Sequence, residues 1–411
     1  MSGCLLAALV LAVGGCGGAS RRGDGNGGPH GAANVVEVYS SLPLRGPPGA
    51  HGRAILGGIR LALHQAGGRA GQYTLSLRSL DASGSAAGGF SRTRVTVNAR
   101  TAAADTRTVL YIGDFDSQAS ATSIPILNEA GVPQISPGST YAGLTVAGPG
   151  TRRGEPQEYY PGGRRTFFRI VPSDTMQAVA GLETMKHDGC TKVAVVYDKR
   201  PYGNGLAAIL QLDRSRYGVD IVSDTGIPSS QRLRAYARSL KRLGVDCFYF
   251  AGVSSTRAVQ ITRDVNAVLP GARILGGEGI CTSSYTNPAD GGVPAAVAPR
   301  IECTMAVQSA VSYPGAGRFL DAYRSLYGAG EPDPYAIYGY EAMKLALDTI
   351  ASLGSQGNDK AAVRAALRAT RTRQSVLGSY GFDANGDTTL RSVGLYRVDR
   401  NGRPRFERQV G

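Results

Sequence analysis

The most constraining feature of this 411-residue sequence is a β-α alternation that occurs twice. Short apolar strands alternate with stretches of helical spacing; the strands are 35–39, 73–78, 108–113, 192–198, 221–222, 247–250 and 273–275. Because parallel strands need crossover connections, which are usually helices, this alternation predicts parallel sheets covered by helices on both faces. The interruption near residues 145–170 predicts two α/β lobes, which also suits a chain too long for one ordinary core.

The N-terminal residues have the pattern of a cleaved export signal. Leu5 to Val13 is an apolar run too short to span a bilayer, and it ends in Val13-Gly14-Gly15-Cys16, which resembles the bacterial lipobox. We therefore expect residues 1–15 to be a signal peptide, Cys16 to be acylated, and the Gly-rich residues 16–33 to form a flexible tether. A buried N-terminal strand is the alternative, and the Gly-rich stretch argues against it. The protein is thus expected outside the cytoplasm, anchored to the cell membrane through lipid.

The cysteines beyond the signal predict two disulfides. Cys190, Cys247, Cys281 and Cys303 form an even set, which allows three pairings in an exported protein, and no CxxC occurs that would suggest zinc. In a doubly wound sheet, the strand after Cys190 and the strand at Cys247 are neighbours that run the same way. Strands about 4.8 Å apart suit a disulfide. We predict Cys190–Cys247 and Cys281–Cys303, with four free buried thiols as the alternative.

Composition and motifs argue against several classes of function. The net charge is +14, but the basic residues are scattered and form no run, so we expect no nucleic-acid partner. The chain contains no HExxH, GxSxG or GxxxxGK[ST] motif, and the GxGxxG letters at 23–28 follow no strand. We therefore predict no enzyme activity, no cofactor and no metal site.

The loops that follow the strands are the candidate binding site, because parallel α/β sheets bind ligands at the carboxyl ends of their strands. In the first lobe, Ser117, Ser139 and Thr140 offer hydroxyls near helix N-termini, which suit a carboxylate. Ordinary N-capping by Ser117 and Thr140 is the alternative. In the second lobe, Tyr202 can cover a ligand and Glu278 can accept from an ammonium. Packing of Tyr202 on its own lobe and solvation of Glu278 are the alternatives. Together these loops predict a site for a zwitterion.

Four segments in this order resemble the leucine/isoleucine/valine-binding protein family of periplasmic binding proteins. They are Ser41-Leu42-Pro43-Leu44-Arg45-Gly46-Pro47, the run from Ile124 to Gly138, Tyr202-Gly203-Asn204-Gly205, and Gly277-Glu278-Gly279. The resemblance extends from about Val35 to the C-terminus and implies a type I periplasmic-binding fold, in which two doubly wound parallel-sheet lobes are joined by a hinge of three crossings. The implied N-terminal lobe comprises 34–168 and 304–376, and the C-terminal lobe comprises 169–303 and 377–411.

The same resemblance implies roles for individual residues. Ser117 and Thr140 take the carboxylate-binding positions, and the Gly138 carbonyl, the Thr140 hydroxyl and Glu278 take the ammonium-binding positions. Tyr202 closes over the ligand from the second lobe. Val253 falls where some members have Tyr. A disulfide that some members carry at the positions of Ser83 and Asp116 is absent here, and Asp116 brings a negative charge that argues against a plain branched-chain amino acid.

The sequence therefore predicts the extracytoplasmic solute-binding component of an ABC importer. It closes on a small amino-acid-like molecule, such as a branched-chain amino acid or a related amide or aromatic acid, and then docks on a membrane permease. A ligand-sensing receptor module of the same fold is the alternative. The lipobox and the lack of any membrane-spanning stretch favour transport.

Overall fold

Alternating strands and helices build the described part of the chain. The structure is a computed structural model that describes residues 34–46, 49–84, 89–328 and 330–411. The predicted signal peptide, Cys16 and the tether lie outside the described residues. Val35–Gly411 form one structural unit.

The strands, in chain order, are β1 (Val35–Leu42), β2 (Arg69–Ala70), β3 (Tyr73–Asp81), β4 (Thr108–Gly113), β5 (Gln134–Ser136), β6 (Phe167–Arg169), β7 (Lys192–Tyr197), β8 (Asp220–Gly226), β9 (Cys247–Ala251), β10 (Arg273–Gly276), β11 (Ile301–Met305), β12 (Arg373–Ser375), β13 (Gly378–Tyr380), β14 (Val393–Val398) and β15 (Pro404–Val410). The helices are α1 (Gly49–Gln65), α2 (Arg92–Ala104), α3 (Ser117–Glu129), α4 (Asp174–His187), α5 (Pro201–Asp213), α6 (Leu233–Arg242), α7 (Thr256–Val268), α8 (Ser283–Thr286), α9 (Ala316–Tyr327), α10 (Ala336–Ser352) and α11 (Lys360–Ala369).

The first lobe is built on a sheet of order β2-β3-β1-β4-β5-β6. β1 pairs in parallel with β3 and β4, whereas the two-residue β2 is antiparallel to β3. Every residue of β4 is buried, as expected for a central strand with helices on both faces. The carboxyl ends of β1, β4 and β5 therefore meet at one edge of the sheet.

The second lobe is built on a sheet of order β15-β14-β11-β10-β9-β7-β8. The strands from β7 to β11 are parallel, and β14 and β15 extend the sheet in the antiparallel direction. Because β7 and β9 are neighbours, Val193 lies opposite Cys247 in the ladder. The carboxyl ends of β7, β9 and β10 face the first lobe.

Both predicted disulfides are confirmed. Cys190 and Cys247 are bonded, with their Cα atoms 5.7 Å apart at the starting ends of β7 and β9. Cys281 and Cys303 are bonded, with a Cα separation of 5.8 Å. The second bond ties the segment directly after Glu278 to β11.

The chain passes between the lobes three times, as predicted: between β6 and α4, between β11 and α9, and between β13 and β14. The lobe boundaries differ from the expected ones at two places. Thr304 and Met305 belong to β11 of the second sheet. Tyr380, which was expected in the second lobe, donates to Glu341 of α10 at 2.8 Å. The short strands and turns around Tyr380 carry no periodicity that indicates which lobe they contact.

A buried ion pair joins two of these crossings. The Nε of Arg169, at the end of β6, lies 2.7 Å from Oδ1 of Asp387, and the Arg169 side chain is fully buried. The same guanidinium donates to the carbonyl of Tyr141 at 2.8 Å and to the hydroxyl of Thr145 at 2.5 Å. A planar, rigid group with several donors suits this role. Arg169 thereby fixes the backbone next to Thr140, at the edge of the cleft.

Candidate ligand-binding cleft

A cavity of about 330 Å³ lies where the carboxyl ends of the two parallel sheets face each other. Its volume is in the range of small-molecule sites. The predicted site residues that line it are Ser117, Gly138, Tyr202, Val253 and Glu278. The first two come from the first lobe and the others from the second, so the cavity is completed only when the lobes are together.

Ser139 and Thr140 do not line the cavity, and both side chains are fully buried behind it. The Ser139 hydroxyl is 2.7 Å from that of Ser120 and bonds to the carbonyl of Asp114 at 3.1 Å. Thr140 donates to Oε1 of Glu278 at 3.2 Å. Thr140 therefore acts on the site through Glu278, whereas Ser139 braces the loop.

The N-terminus of α3 is capped by Asp116, not by Ser117. Oδ1 of Asp116 accepts from the backbone N–H groups of Gln118 and Ala119, at 2.8 and 3.3 Å. The Ser117 hydroxyl accepts from the N–H of Tyr141 at 3.2 Å and keeps its own proton available for a ligand. The alternative in which Ser117 serves as an ordinary N-cap is therefore not what the structure shows.

Glu278 links the two lobes directly. Besides Thr140, its carboxylate accepts from the hydroxyl of Tyr335 at 2.8 Å and from the N–H of Ala306 at 3.3 Å. Burial raises the pKa of Glu278 above its usual range, although these hydrogen bonds oppose the shift. Its three hydrogen-bond donors are neutral, and the nearby imidazole of His51 favours its charged form. An ammonium ligand would add a direct ion pair to this buried carboxylate.

Tyr202 is held in place by a hydrogen bond within its own lobe. Its hydroxyl donates to Oε1 of Gln177 at 2.8 Å, and its side chain is buried. The glycine at position 277 allows this placement, because a Cβ there would lie 2.1 Å from the Tyr202 hydroxyl. Gly138 has a similar role, since a Cβ at that position would lie 2.4 Å from the ring of Phe115. The two glycines thus leave room for the Tyr202 and Phe115 side chains, which line the cavity.

An aromatic cluster forms a wall that the sequence did not predict. His51 lies 5.5 Å from Phe115 and 5.1 Å from Tyr335 between ring centroids, and Phe115 meets Tyr335 edge-on at 4.9 Å. Nδ1 of His51 is 2.7 Å from Oδ2 of Asp333. Burial disfavours the charged imidazole, but the Asp333 carboxylate outweighs it and raises the pKa of His51. Asp333 and Tyr335 directly precede α10, and no local sequence pattern shows that this helix begins at the cleft.

Asp174 is a buried acid next to the site. It begins α4, directly after the first crossing, and neither of its carboxylate oxygens has a partner among the described residues. Burial raises the pKa of Asp174 to about 8, and the charge of Glu278 adds to the shift. A raised pKa favours the neutral form of this buried acid.

One cluster has the composition of a metal site within the described ranges. Cys190, Asp246 and Cys247 lie close together, but both sulfurs are in the disulfide and provide no thiolate. The cluster is therefore structural.

The sequence that folds into these two doubly wound lobes matches a known protein family. A sequence model described as periplasmic binding protein matches residues 40–403. The chain belongs to the periplasmic binding protein family. It is similar to Leu/Ile/Val-binding protein homolog 1 of Brucella melitensis, with 26% identity over 372 residues that cover 89% of this chain and 91% of the relative. It is also similar to an amino acid binding protein of Pseudomonas aeruginosa, with 25% identity over 299 residues, 72% of this chain and 73% of the relative.

Solved structures share the fold of this periplasmic binding protein. A leucine binding protein from Thermotoga maritima superposes with a TM-score of 0.73 at 23% identity, covering 92% of this chain and 99% of that one. A solute binding protein of an ABC transporter from Rhodopseudomonas palustris, in complex with p-hydroxybenzoic acid, gives 0.72 at 17% identity, with coverages of 92% and 96%. The predicted two-lobed type I fold is thereby confirmed.

Membership of this family also indicates where the protein acts. It is a family of solute-binding proteins, not of enzymes, and its members act outside the cytoplasm. Within the part of the chain that the structure describes, no helix is both long and apolar enough to cross a bilayer.

Proposed function

We propose that this periplasmic binding protein is the substrate-binding component of an ABC importer, and that its ligand is a small amino-acid-like molecule. The observation that carries the proposal is the interlobe cavity with Glu278 in its wall, bonded to Thr140 and Tyr335 of the opposite lobe. A ligand that engages both lobes stabilises the closed arrangement, which is the form expected to dock on a membrane permease.

The proposed binding mode uses opposite ends of a zwitterion. Glu278, supported by Thr140 and the Gly138 carbonyl, receives the ammonium, and the Ser117 hydroxyl donates to the carboxylate. Tyr202 covers the ligand from the second lobe, next to Val253, and the rings of Phe115 and Tyr335 contact its apolar part. The names of the relatives, which include leucine and amino acid binding proteins, agree with this class of ligand.

A ligand screen tests the proposal. We expect at least one L-amino acid or aromatic acid to raise the melting temperature by several degrees, because a ligand at about 100 times its Kd stabilises by about 2.7 kcal/mol. Thermal shift followed by calorimetry with L- and D-leucine, L-glutamine, acetamide and 4-hydroxybenzoate measures this. The D-enantiomer is the matched control, since Glu278, Ser117 and the ring wall of Phe115 and Tyr335 would fix three substituents of the α-carbon. Failure of all amino acids, amides and aromatic acids to bind would contradict the proposed function.

The lipid anchor is part of the same proposal, although Cys16 lies outside the described residues. We expect the mature chain to begin at an acylated Cys16 and to partition into detergent after expression in a bacterium with a lipoprotein pathway. Mass spectrometry of the membrane fraction identifies the N-terminal residue and its acyl chains. Cys16→Ala should leave the protein unprocessed, whereas Cys4→Ala, at the other leading cysteine, is the control and should mature normally. A Cys16→Ala chain that is still cut and acylated would refute the anchor.

A further inference from the structure

The charged side chains that line the cavity differ in what already binds them. These residues are His51, Asp116, Arg200 and Glu278. His51 is paired with Asp333, and Glu278 accepts from three donors of the protein. The other two charged residues, Asp116 and Arg200, lie on opposite lobes, at the N-termini of α3 and α5.

One carboxylate oxygen of Asp116 is available to accept a hydrogen bond from a ligand. Its Oδ1 is occupied by the N–H groups of Gln118 and Ala119, while Oδ2 accepts from no residue within the described ranges. Capping by Oδ1 holds the carboxylate rigidly at the first turn of α3. Oδ2 is therefore a fixed acceptor at the wall of the cavity.

A hydrogen bond also holds the backbone of Arg200, whereas its guanidinium is available to a ligand. Its N–H donates to Oδ1 of Asp198 at 3.0 Å, and the other oxygen of Asp198 accepts from the N–H of Val253 at 2.9 Å. The guanidinium is exposed, and it bonds to no acidic residue or carbonyl in the described part of the chain.

The two groups interact through space without touching. No ion pair within 4.0 Å joins them. Burial raises the pKa of Asp116, and the positive charge of Arg200 opposes that rise, so each lies in the field of the other. Both residues line the same cavity from opposite lobes, so one ligand group can contact both.

We infer that Asp116 and Arg200 form a second polar subsite, split between the lobes, that binds a carboxamide or ureido group of the ligand's side chain. The inference rests on the proposed function and narrows its substrate class. Such a group donates an N–H to Oδ2 of Asp116 and accepts from Arg200 through its carbonyl oxygen.

Other terminal groups satisfy the subsite less well. An alkyl end leaves the Asp116 carboxylate covered and unbonded when the lobes close, and sites built for hydrogen bonding reject such analogues strongly. A carboxylate pairs with Arg200 but is repelled by Asp116. An ammonium pairs with Asp116 but is repelled by Arg200. L-Glutamine and L-citrulline are the simplest amino acids with the required end.

Calorimetry on the purified full chain in detergent tests the inference, with L-glutamine, L-citrulline, L-glutamate, L-ornithine and L-leucine as probes. We expect L-glutamine or L-citrulline to bind at least tenfold tighter than the other three. Asp116→Asn, which keeps a good helix cap, and Arg200→Gln should each weaken that ligand roughly 10- to 100-fold, the loss of one hydrogen bond to a charged group. Binding of L-leucine should change much less.

Arg238→Gln is the matched control, because Arg238 is exposed on α6 and does not line the cavity; its affinities should equal those of the unchanged protein. Tighter binding of L-leucine, L-glutamate or L-ornithine than of the amides would overturn this inference and leave the proposed function intact. The inference would also be overturned if Asp116→Asn and Arg200→Gln bound the amides as tightly as the unchanged protein does, with thermal melts that show both variants to be folded. If none of these ligands nor any aromatic acid binds, the proposed function fails and the inference fails with it.

Discussion

Glu278→Gln is expected to weaken binding of any ammonium-bearing ligand by about 2–5 kcal/mol, or roughly 30- to several-thousand-fold in Kd. The carboxamide has the same shape, and its oxygen can still accept from Tyr335 and Ala306. Its NH₂ group then faces the Thr140 hydroxyl, which can turn to accept from it, so the closed cleft should survive. What is lost is the negative charge that pairs with the ammonium. Calorimetry with the best ligand of the screen measures the loss.

The pH dependence of binding provides a second readout. Burial raises the pKa of Glu278, and the group must be ionised to pair with an ammonium. Affinity should therefore hold above the raised pKa and decline as the pH is lowered through it. In Glu278→Gln this decline should disappear.

A matched control for this substitution is Glu129→Gln, which changes the same residue type at the exposed end of α3. Its affinity should equal that of the unchanged protein. If Glu278→Gln binds as tightly as this control, Glu278 does not receive an ammonium, and either the ligand lacks one or another acid receives it.

Removing the Cys190–Cys247 bond is expected to reduce the free energy of unfolding by about 4 kcal/mol, because the bond closes a loop with a sequence separation of 57 residues. Removing Cys281–Cys303, with a separation of 22, should cost about 3 kcal/mol. Paired Cys→Ala variants suit these buried positions, since alanine leaves no unsatisfied polar group. Urea unfolding followed by circular dichroism measures both losses.

In ligand binding, the Cys281–Cys303 variant should show the larger loss, although it loses less stability. Cys190–Cys247 lies at the starting ends of β7 and β9, away from the cleft, whereas Cys281 directly follows the turn Glu278–Ile280. Loss of the second bond should therefore weaken binding, and loss of the first should leave Kd unchanged. The prediction is wrong if the Cys190–Cys247 variant loses affinity while the Cys281–Cys303 variant keeps it.

Local sequence patterns determined the lobes, the disulfides and several residues of the cavity wall. Strand and helix periods are short-range properties, and the carboxyl ends of parallel strands meet at one edge whatever the rest of the chain does. Ser117, Tyr202 and Glu278 each lie a few positions after the end of a strand, so their place in the cleft could be predicted. The neighbourhood of Cys190 and Cys247 followed from the strand order in the same way.

Tertiary structure alone decided which other residues complete the site. His51 and Asp333 are 282 positions apart, and only the packing of α1 against α10 brings them together beside Tyr335. Within a loop, the sequence could not separate Gly138, which lines the cavity, from Ser139, which is turned into the protein, because an irregular backbone has no period that assigns a face. The same reason left Tyr380 in the wrong lobe and hid the facing positions of Asp116 and Arg200. Those two charged side chains lie on different lobes. Their relative position therefore depends on how the lobes are arranged around the three crossings.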